Sequence, residues 1–554
     1  MRNLKQYPTI FCLLICAFLS AQNNYTSEID QLLEKYQSAD APGLSVKVIS
    51  GNESIYAKDF GLANLDYDIK NSDTTIFSLA SIGKQFTASA IWVLVKEGKI
   101  RLEDDIRKYL PEFPEYQQPI KIKHLLNHTS GIRNYHALMS LSGFDYDKTY
   151  YDNNTVFALA CKQKGLSNIP GEKVAYSNTN YTLLAIIVER ISGQNLNEFL
   201  KAHILNPLQM DATFVRVENG KTIKNKAVGY QKQNNQFVYS SSNQLSYGAG
   251  SMGSSIKDMT IWMQMLNEQI LEFKPLSQFL KTTEILNNGE KAKYARGIMI
   301  DNYKDNIVAS HGGYSFGGRT QLITIVEKQL GIIVLTNLQS IDAPSIAYQI
   351  LDILLSDENN NVAVTKEEEV FKQVALDKYT GDYKEINSDM TMQLFVENDT
   401  LKAKGSIGRS ATSLLQFADN KFHRKDSQQV KYDFTPATTH DMVILFGGTP
   451  FYFKRATLID PETVNSNDFV GSYFSEELDV TYHLFVADNV FKLSYKNNEN
   501  ISLHPIQLDE FGNNSRTLYR FTRDKEGAII GMLLYSEGTI KDVFFKKEAS
   551  INRS

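Results

Sequence analysis

The stretch Phe77-Ser78-Leu79-Ala80-Ser81-Ile82-Gly83-Lys84 runs directly into Gln85 to Val95, where most residues are small or apolar. A run that is apolar nearly all round predicts a helix buried in a core, and Gly98 supplies its stop. Ser81 falls at the start of that helix and Lys84 one turn later, so the two side chains share a face. Burial lowers the pKa of a lysine because desolvation disfavours the charged form. A neutral Lys84 can then accept the serine proton, and the helix N-terminus favours the developing negative charge. Ser-x-x-Lys alone is common, and equally describes a capping serine beside a surface lysine. The residues around it have to decide.

Working outward, Tyr25 to Tyr36 places Ile29, Leu32, Leu33 and Tyr36 on one helical face. Leu44 to Ile49 and Ser54 to Phe60 alternate as strands joined at Ser50-Gly51-Asn52, a hairpin. The middle reads as helices and loops. Strand patterns return at Ile307 to Ala309, Gln321 to Val326 and Ile332 to Leu335, followed by a helix carrying Ile346, Ile350, Leu351 and Leu354. Strands at both ends with helices between predict an α+β domain: one antiparallel sheet, flanked by helices, whose terminal strands meet.

Two further pieces can complete a catalytic constellation. In Pro170-Gly171-Glu172-Lys173-Val174-Ala175-Tyr176-Ser177-Asn178, an extended backbone would point Tyr176 and Asn178 the same way. A phenol and an amide converging on Ser81 could relay its proton and hold a substrate amide. The plain alternative is a loop with a packed tyrosine. In Ser310-His311-Gly312-Gly313-Tyr314, two glycines beside a strand predict close approach of another backbone or a ligand. His311 could offer a substrate a hydrogen bond or a charge; an incidental histidine in a glycine-rich turn is the alternative.

In this order and spacing the three pieces resemble the serine β-lactamase and penicillin-binding protein superfamily, specifically its class C-like branch, over roughly residues 25 to 356. Ala41-Pro42-Gly43, Ile122-Lys123-His124-Leu125-Leu126-Asn127-His128-Thr129-Ser130-Gly131 and Gly248-Ala249-Gly250-Ser251-Met252 look similar as well. The resemblance implies a β-lactamase/transpeptidase-like fold with Ser81 as nucleophile and Lys84 as the group that deprotonates it. Tyr176 would be general base and later acid, and Asn178 would orient the substrate amide. The N–H groups of Ser81 and Tyr314 would form the oxyanion hole, flanked by His311, Gly312 and Gly313. Many relatives carry Lys-Thr-Gly at His311-Gly312-Gly313, so a permanent cation gives way to a ring expected to titrate near 6.5. The His form resembles that of D-amino-acid peptidases, esterases and some carboxypeptidases. A DD-carboxypeptidase or D-aminopeptidase is therefore expected ahead of an esterase, with a true β-lactamase third. A β-lactam sensor or a non-catalytic scaffold is the competing class.

The remaining features bound this reading. The chain has 554 residues, 42% hydrophobic and 22% charged, with 29 Tyr and 30 Phe, which excludes global disorder. A net charge of -5 and pI near 6.1 give no basic field for nucleic acid. His124 and His128 stand at a zinc-like i, i+4 spacing but lack the intervening glutamate of His-Glu-x-x-His, so they read as structural; no metal and no cofactor are expected. Cys161 reads as a small core residue. Residues 1–21 read as an export signal: Arg2 and Lys5, an apolar run from Ile10 to Leu19, then Ser20-Ala21. Leu14 and Ile15 are bulky for a lipoprotein signal at Cys16, so a periplasmic or secreted protein acting on a small-molecule or cell-wall peptide is expected. No transmembrane segment is expected; the oligomeric state is open.

After a hydrolase domain over 22–356, the polar run 357–375 reads as a linker. The chain then repeats itself: Tyr379-Thr380-Gly381-Asp382-Tyr383 is echoed by Phe469-Val470-Gly471-Ser472-Tyr473, Leu394-Phe395-Val396 by Leu484-Phe485-Val486, and Met442 by Met532, all at an offset of 90. Two antiparallel β-barrel-like units are predicted, over 376–457 and 468–548, with a linker over 458–467. They resemble the lipocalin-like domains appended to some D-aminopeptidases.

Overall fold

The computed structural model describes residues 25–359 and 375–549, apart from 147, 241, 407–409, 447–448 and 538. The expected export signal and most of the first linker lie outside the described residues. The chain groups into two units. One takes in the residues up to Gly131, 146–158 and 168–364; the other takes in 132–145, 159–167 and 365 onward.

The first unit is built on six antiparallel strands: β1 (Leu44–Ser50), β2 (Glu53–Phe60), β3 (Met299–Tyr303), β4 (Asn306–Ser315), β5 (Gly318–Ile325) and β6 (Leu330–Thr336), in the order β3-β4-β5-β6-β1-β2. The first strand pairs with the last, Leu44 opposite Thr336 and Ser50 opposite Leu330, as the strand patterns at the two ends predicted. β6 is buried at every position because it is a central strand covered on both faces, whereas edge strand β2 buries only Tyr56 and Phe60. The hairpin between β1 and β2 turns at Gly51, whose φ of 57° a glycine adopts without a Cβ penalty.

Ile29 and Leu33 of the N-terminal helix pack with Ile346, Ala347, Ile350 and Leu351 of a C-terminal helix (Ala343–Asn359) against Val46, Val48, Ile332 and Val334 of the sheet. Burying side chains of this size contributes roughly 1.5–3 kcal/mol each, before the entropy of ordering them. On the site side, helix α1 (Lys84–Lys96) buries Lys84 through Ile91 without interruption, the all-round burial that its sequence predicts. Cys161, read as a core residue, ends a helix (Asn153–Cys161) and is only half-buried.

In the second unit, Gly381–Glu385 through Thr449–Arg455 form a closed eight-stranded barrel. Leu394, Phe422, Tyr432, Met442, Ile444 and Phe453 fill its core. Strands from Gly471–Ser475 to Ile540–Lys547 form a nine-stranded antiparallel sheet that stops short of closing. The repeat is visible in atoms. The Tyr383 hydroxyl donates to the Tyr379 carbonyl at 2.9 Å, and Tyr473 donates to the Phe469 carbonyl, also at 2.9 Å.

Two stretches that the sequence left inside the hydrolase span, 132–145 and 159–167, belong to this unit. Ala137, Leu138 and Leu141 share a core with Tyr473, Tyr482 and Phe545, and the Tyr482 hydroxyl donates to the Leu141 carbonyl at 2.6 Å. Among the described residues, no helix is long and apolar enough to cross a membrane.

Candidate active site

Ser81 lies in a 3-10 turn (Ala80–Gly83) that leads into α1, so Lys84 stands one turn along on the same side. Ala80 just before it has φ 47°, an uncommon backbone state for a residue with a Cβ. Ser81 is half-buried, which leaves its hydroxyl reachable, while Lys84 has no exposed surface. The Lys84 amine stands 3.1 Å from Ser81 Oγ, 2.8 Å from Asn178 Oδ1 and 2.7 Å from the Ala249 carbonyl. Burial holds its pKa well below the ordinary lysine range. A neutral amine has two hydrogens and one lone pair. The two carbonyl-type oxygens can only accept, so in the neutral form they would take both hydrogens and the lone pair would face Ser81.

The Tyr176 hydroxyl donates to the same Ser81 Oγ at 2.8 Å. Tyr176 sits in a loop, and Asn178 is the first residue of a helix, α2 (Asn178–Ser192), so the uniformly extended segment expected there is not formed. The two side chains converge because Ser177, extended, turns the chain into the helix. Their convergence on Ser81 and Lys84 stands. The glycine-rich stretch Gly248 to Met252 contributes through its backbone: Ala249 to Lys84, and the Met252 carbonyl to the Leu79 N–H at 2.8 Å.

β4 brings the third piece. A Cβ on Gly313 would lie 2.3 Å from Thr320 Oγ1 and 2.6 Å from the Leu79 carbonyl, so only glycine lets this strand lie against the backbone just ahead of Ser81. Gly312 is half-buried beside it, and Tyr314 follows, exposed, with its hydroxyl accepting from the Gln339 amide.

His311 departs from expectation. Its Nδ1 faces the Gly312 carbonyl at 2.6 Å and its Nε2 faces the Tyr294 hydroxyl at 2.9 Å. Burial moves its pKa down to about 4 rather than leaving it near neutrality, and the nearby Lys84 adds to the shift. A ring with Nδ1–H on a carbonyl and Nε2 accepting from a phenol is neutral and has both nitrogens engaged within the protein.

Tyr294 was not singled out in the sequence. Gly297, with φ 84°, holds its segment against α1, since a Cβ there would lie 2.9 Å from the backbone of Lys84 and Gln85. A tyrosine three residues ahead of a glycine is too common a signal to have found it. His124 and His128 do not converge on one point. His124 Nδ1 accepts the Lys121 N–H at 3.2 Å, and His128 Nδ1 accepts the Ser177 N–H at 3.2 Å.

The geometry agrees with comparisons to known proteins. The family described as Beta-lactamase matches residues 29–355. Penicillin-binding protein 4* of Bacillus subtilis (strain 168) is 31% identical over 313 residues, 53% of this chain and 67% of that protein. The chain spans 65 to 67% of the length of the curated relatives it matches. Among solved structures, the octameric penicillin-binding protein homologue from Pyrococcus abyssi is similar with a TM-score of 0.55, at 23% identity, over 86% of this chain and 98% of that one. D-amino acid amidase from Ochrobactrum anthropi SV3 is similar with a TM-score of 0.50, at 20% identity, over 61% of this chain and 99% of that one. A serine-bearing turn leading into a buried helix, a tyrosine and an asparagine brought to it, and strand β4 laid against it are thus joined to a family match over more than half the chain: it belongs to the Beta-lactamase family.

Proposed function

We propose that this protein is an exported serine hydrolase that forms an acyl-enzyme on Ser81 and acts on an amide or ester of a D-amino acid. The observation that carries this reading is the double contact on Ser81 Oγ, from the Lys84 amine at 3.1 Å and the Tyr176 hydroxyl at 2.8 Å. Ser81 Oγ attacks the substrate carbonyl carbon, and its proton passes to the Lys84–Tyr176 pair. The oxyanion is taken by the N–H groups of Ser81 and Tyr314; one such donor contributes about 3 kcal/mol to transition-state stabilisation. Tyr176 gives a proton to the leaving amine as the C–N bond breaks, and Lys84 restores it. Water then enters and its oxygen adds to the acyl carbon while the same pair takes its proton; the bond from that carbon to Ser81 Oγ breaks and the pair returns the proton to Oγ. Asn178, already bonded to Lys84, orients the substrate amide.

The names of the relatives, a penicillin-binding protein and a D-amino acid amidase, support a D-configured acyl donor. Residues 1–21 support export. The neutral His311, closed off by Tyr294 and Gly312, supplies no cation where a substrate carboxylate would need one. That favours a D-aminopeptidase or amidase type over a DD-carboxypeptidase.

The test is turnover of D-alanine p-nitroanilide and of an acetylated D-Ala-D-Ala dipeptide, with intact-mass analysis after penicillin treatment, for wild type and Ser81→Ala. Release of nitroaniline by the wild type alone supports the proposal. Cleavage of the dipeptide alone moves the activity to the carboxypeptidase type. Equal sustained turnover by Ser81→Ala removes Ser81 as nucleophile.

A further inference from the structure

We infer that His128 is a positioning residue for Tyr176, holding the backbone on both sides of that tyrosine and supporting its ring from beneath. The inference rests on the proposed role of Tyr176 and adds to it the residue that sets where the phenol stands.

Three contacts point the same way. The His128 carbonyl accepts the N–H of Ala175, the residue before Tyr176, at 2.7 Å. Its ring Nδ1 accepts the N–H of Ser177, the residue after, at 3.2 Å. Its ring lies 4.3 Å, centroid to centroid, from that of Tyr176. One residue therefore meets both peptide N–H groups that flank the phenol and packs against the phenol itself. Asn180, in the first turn of α2, adds its amide nitrogen at 3.1 Å from the same Nδ1.

The arrangement is costly, and the cost argues for a purpose beyond filling space. His128 is fully buried, and its Nε2 has no hydrogen-bond partner among the described residues, the ring being enclosed by Tyr176, Tyr181 and Tyr294. An unpaired buried donor costs about 1–3 kcal/mol. The backbone at His128 has φ 57°, the left-handed region that a residue with a Cβ enters at roughly 1–2 kcal/mol. Since Nδ1 faces donors it must accept, which fixes the proton on Nε2 and keeps the ring neutral. Burial acts in the same sense, pushing the pKa well below the ordinary histidine value. A ring chosen only for packing would not need its acceptor aimed at the residue next to the phenol.

Two variants separate positioning from general structural support, because both tolerate a left-handed backbone. His128→Asn keeps an acceptor where Nδ1 stands; His128→Gly keeps the backbone state but loses acceptor and ring. With D-alanine p-nitroanilide, His128→Asn should keep kcat within about threefold of wild type. His128→Gly should lose about 100-fold in kcat with KM little changed, the scale expected when a reacting group is misplaced by about 1 Å. Equal losses in both variants, or a change confined to KM, would overturn the inference. So would full activity in His128→Gly. A wild type with no Ser81-dependent turnover would instead remove the proposed function and this inference together, which keeps the two failures distinct.

Discussion

The Tyr294 hydroxyl and His311 Nε2 stand 2.9 Å apart, both side chains buried, at the place where the sequence led one to expect a titrating histidine turned toward a substrate. The phenol supplies the donor and the Gly312 carbonyl takes the Nδ1 proton, so the ring has no free nitrogen. Sequence alone put its pKa near 6.5. Burial moves it to about 4.

The pH dependence follows from that shift. A ring that titrates at about 4 when folded and near 6.5 when unfolded stabilises the fold fully above about pH 6.5. That contribution is lost progressively as the pH falls toward 4, because the unfolded chain takes up the proton first. Histidine NMR, assigned with His311→Gln, should show the His311 ring uncharged from pH 8 to 5. A midpoint between 6 and 7 would contradict the burial of the ring.

Lys84→Arg tests the neutral amine. A guanidinium stays protonated in proteins and has no lone pair to offer Ser81. Turnover should fall by about 10²–10⁴-fold, the range of general acid–base catalysis. Labelling of Ser81 by an acylating probe, followed by mass spectrometry, should slow with it. Undiminished labelling would show that Ser81 needs no neutral base.

Gly313→Ala has no room. Its methyl would fall 2.6 Å from the Leu79 carbonyl, a backbone atom that cannot swing aside, so β4 must move away from the turn carrying Ser81. Overpacking of this kind costs about 1–3 kcal/mol. A lowered melting temperature and a loss of about 10²-fold or more in kcat are expected, since the Tyr314 N–H, the proposed oxyanion donor, would shift with the strand. Trimming Thr320 to alanine in the same chain should not rescue it, because the Leu79 contact remains.

Within the second unit, Arg133 and Glu477 form an ion pair at 2.6 Å with side chains 1% and 4% exposed. Glu477 also accepts the Lys164 N–H at 2.8 Å, and Arg133 reaches Gln163 at 2.9 Å, so the pair joins both early stretches to the β-sheet. Glu477→Ala leaves a buried guanidinium without its counter-charge, a loss of about 3–5 kcal/mol. Denaturant unfolding should show it. A change under 1 kcal/mol would mean that the pair is not buried in solution.

The local patterns were legible where one physical rule dominates. Strand alternation at Leu44 to Ile49 and the β-run at Ile332 to Leu335 predicted a sheet closed by its own ends, because side-chain period and burial are tied in a strand. The repeat at offset 90 was equally legible, down to Tyr383 and Tyr473. Ser81, Lys84, Tyr176 and Asn178 were found through motif order and come together in the structure. Tyr294 and the role of His128 were not legible, for each depends on partners far along the chain. The same is true of 132–145 and 159–167, whose apolar residues are satisfied by a core that begins more than 300 positions later.

The sequence by itself determined which groups this protein has for chemistry and the order in which they occur, since periodicity, capping and turn-forming residues act over a few positions. Tertiary structure alone decided their electrical state. Desolvation depends on every surrounding atom, and it is burial that lowers the pKa of Lys84 and of His311. Hydrogen-bond partners such as Ala249 for Lys84 and Tyr294 for His311 are assigned only when distant segments meet, and those partners fix where each proton sits.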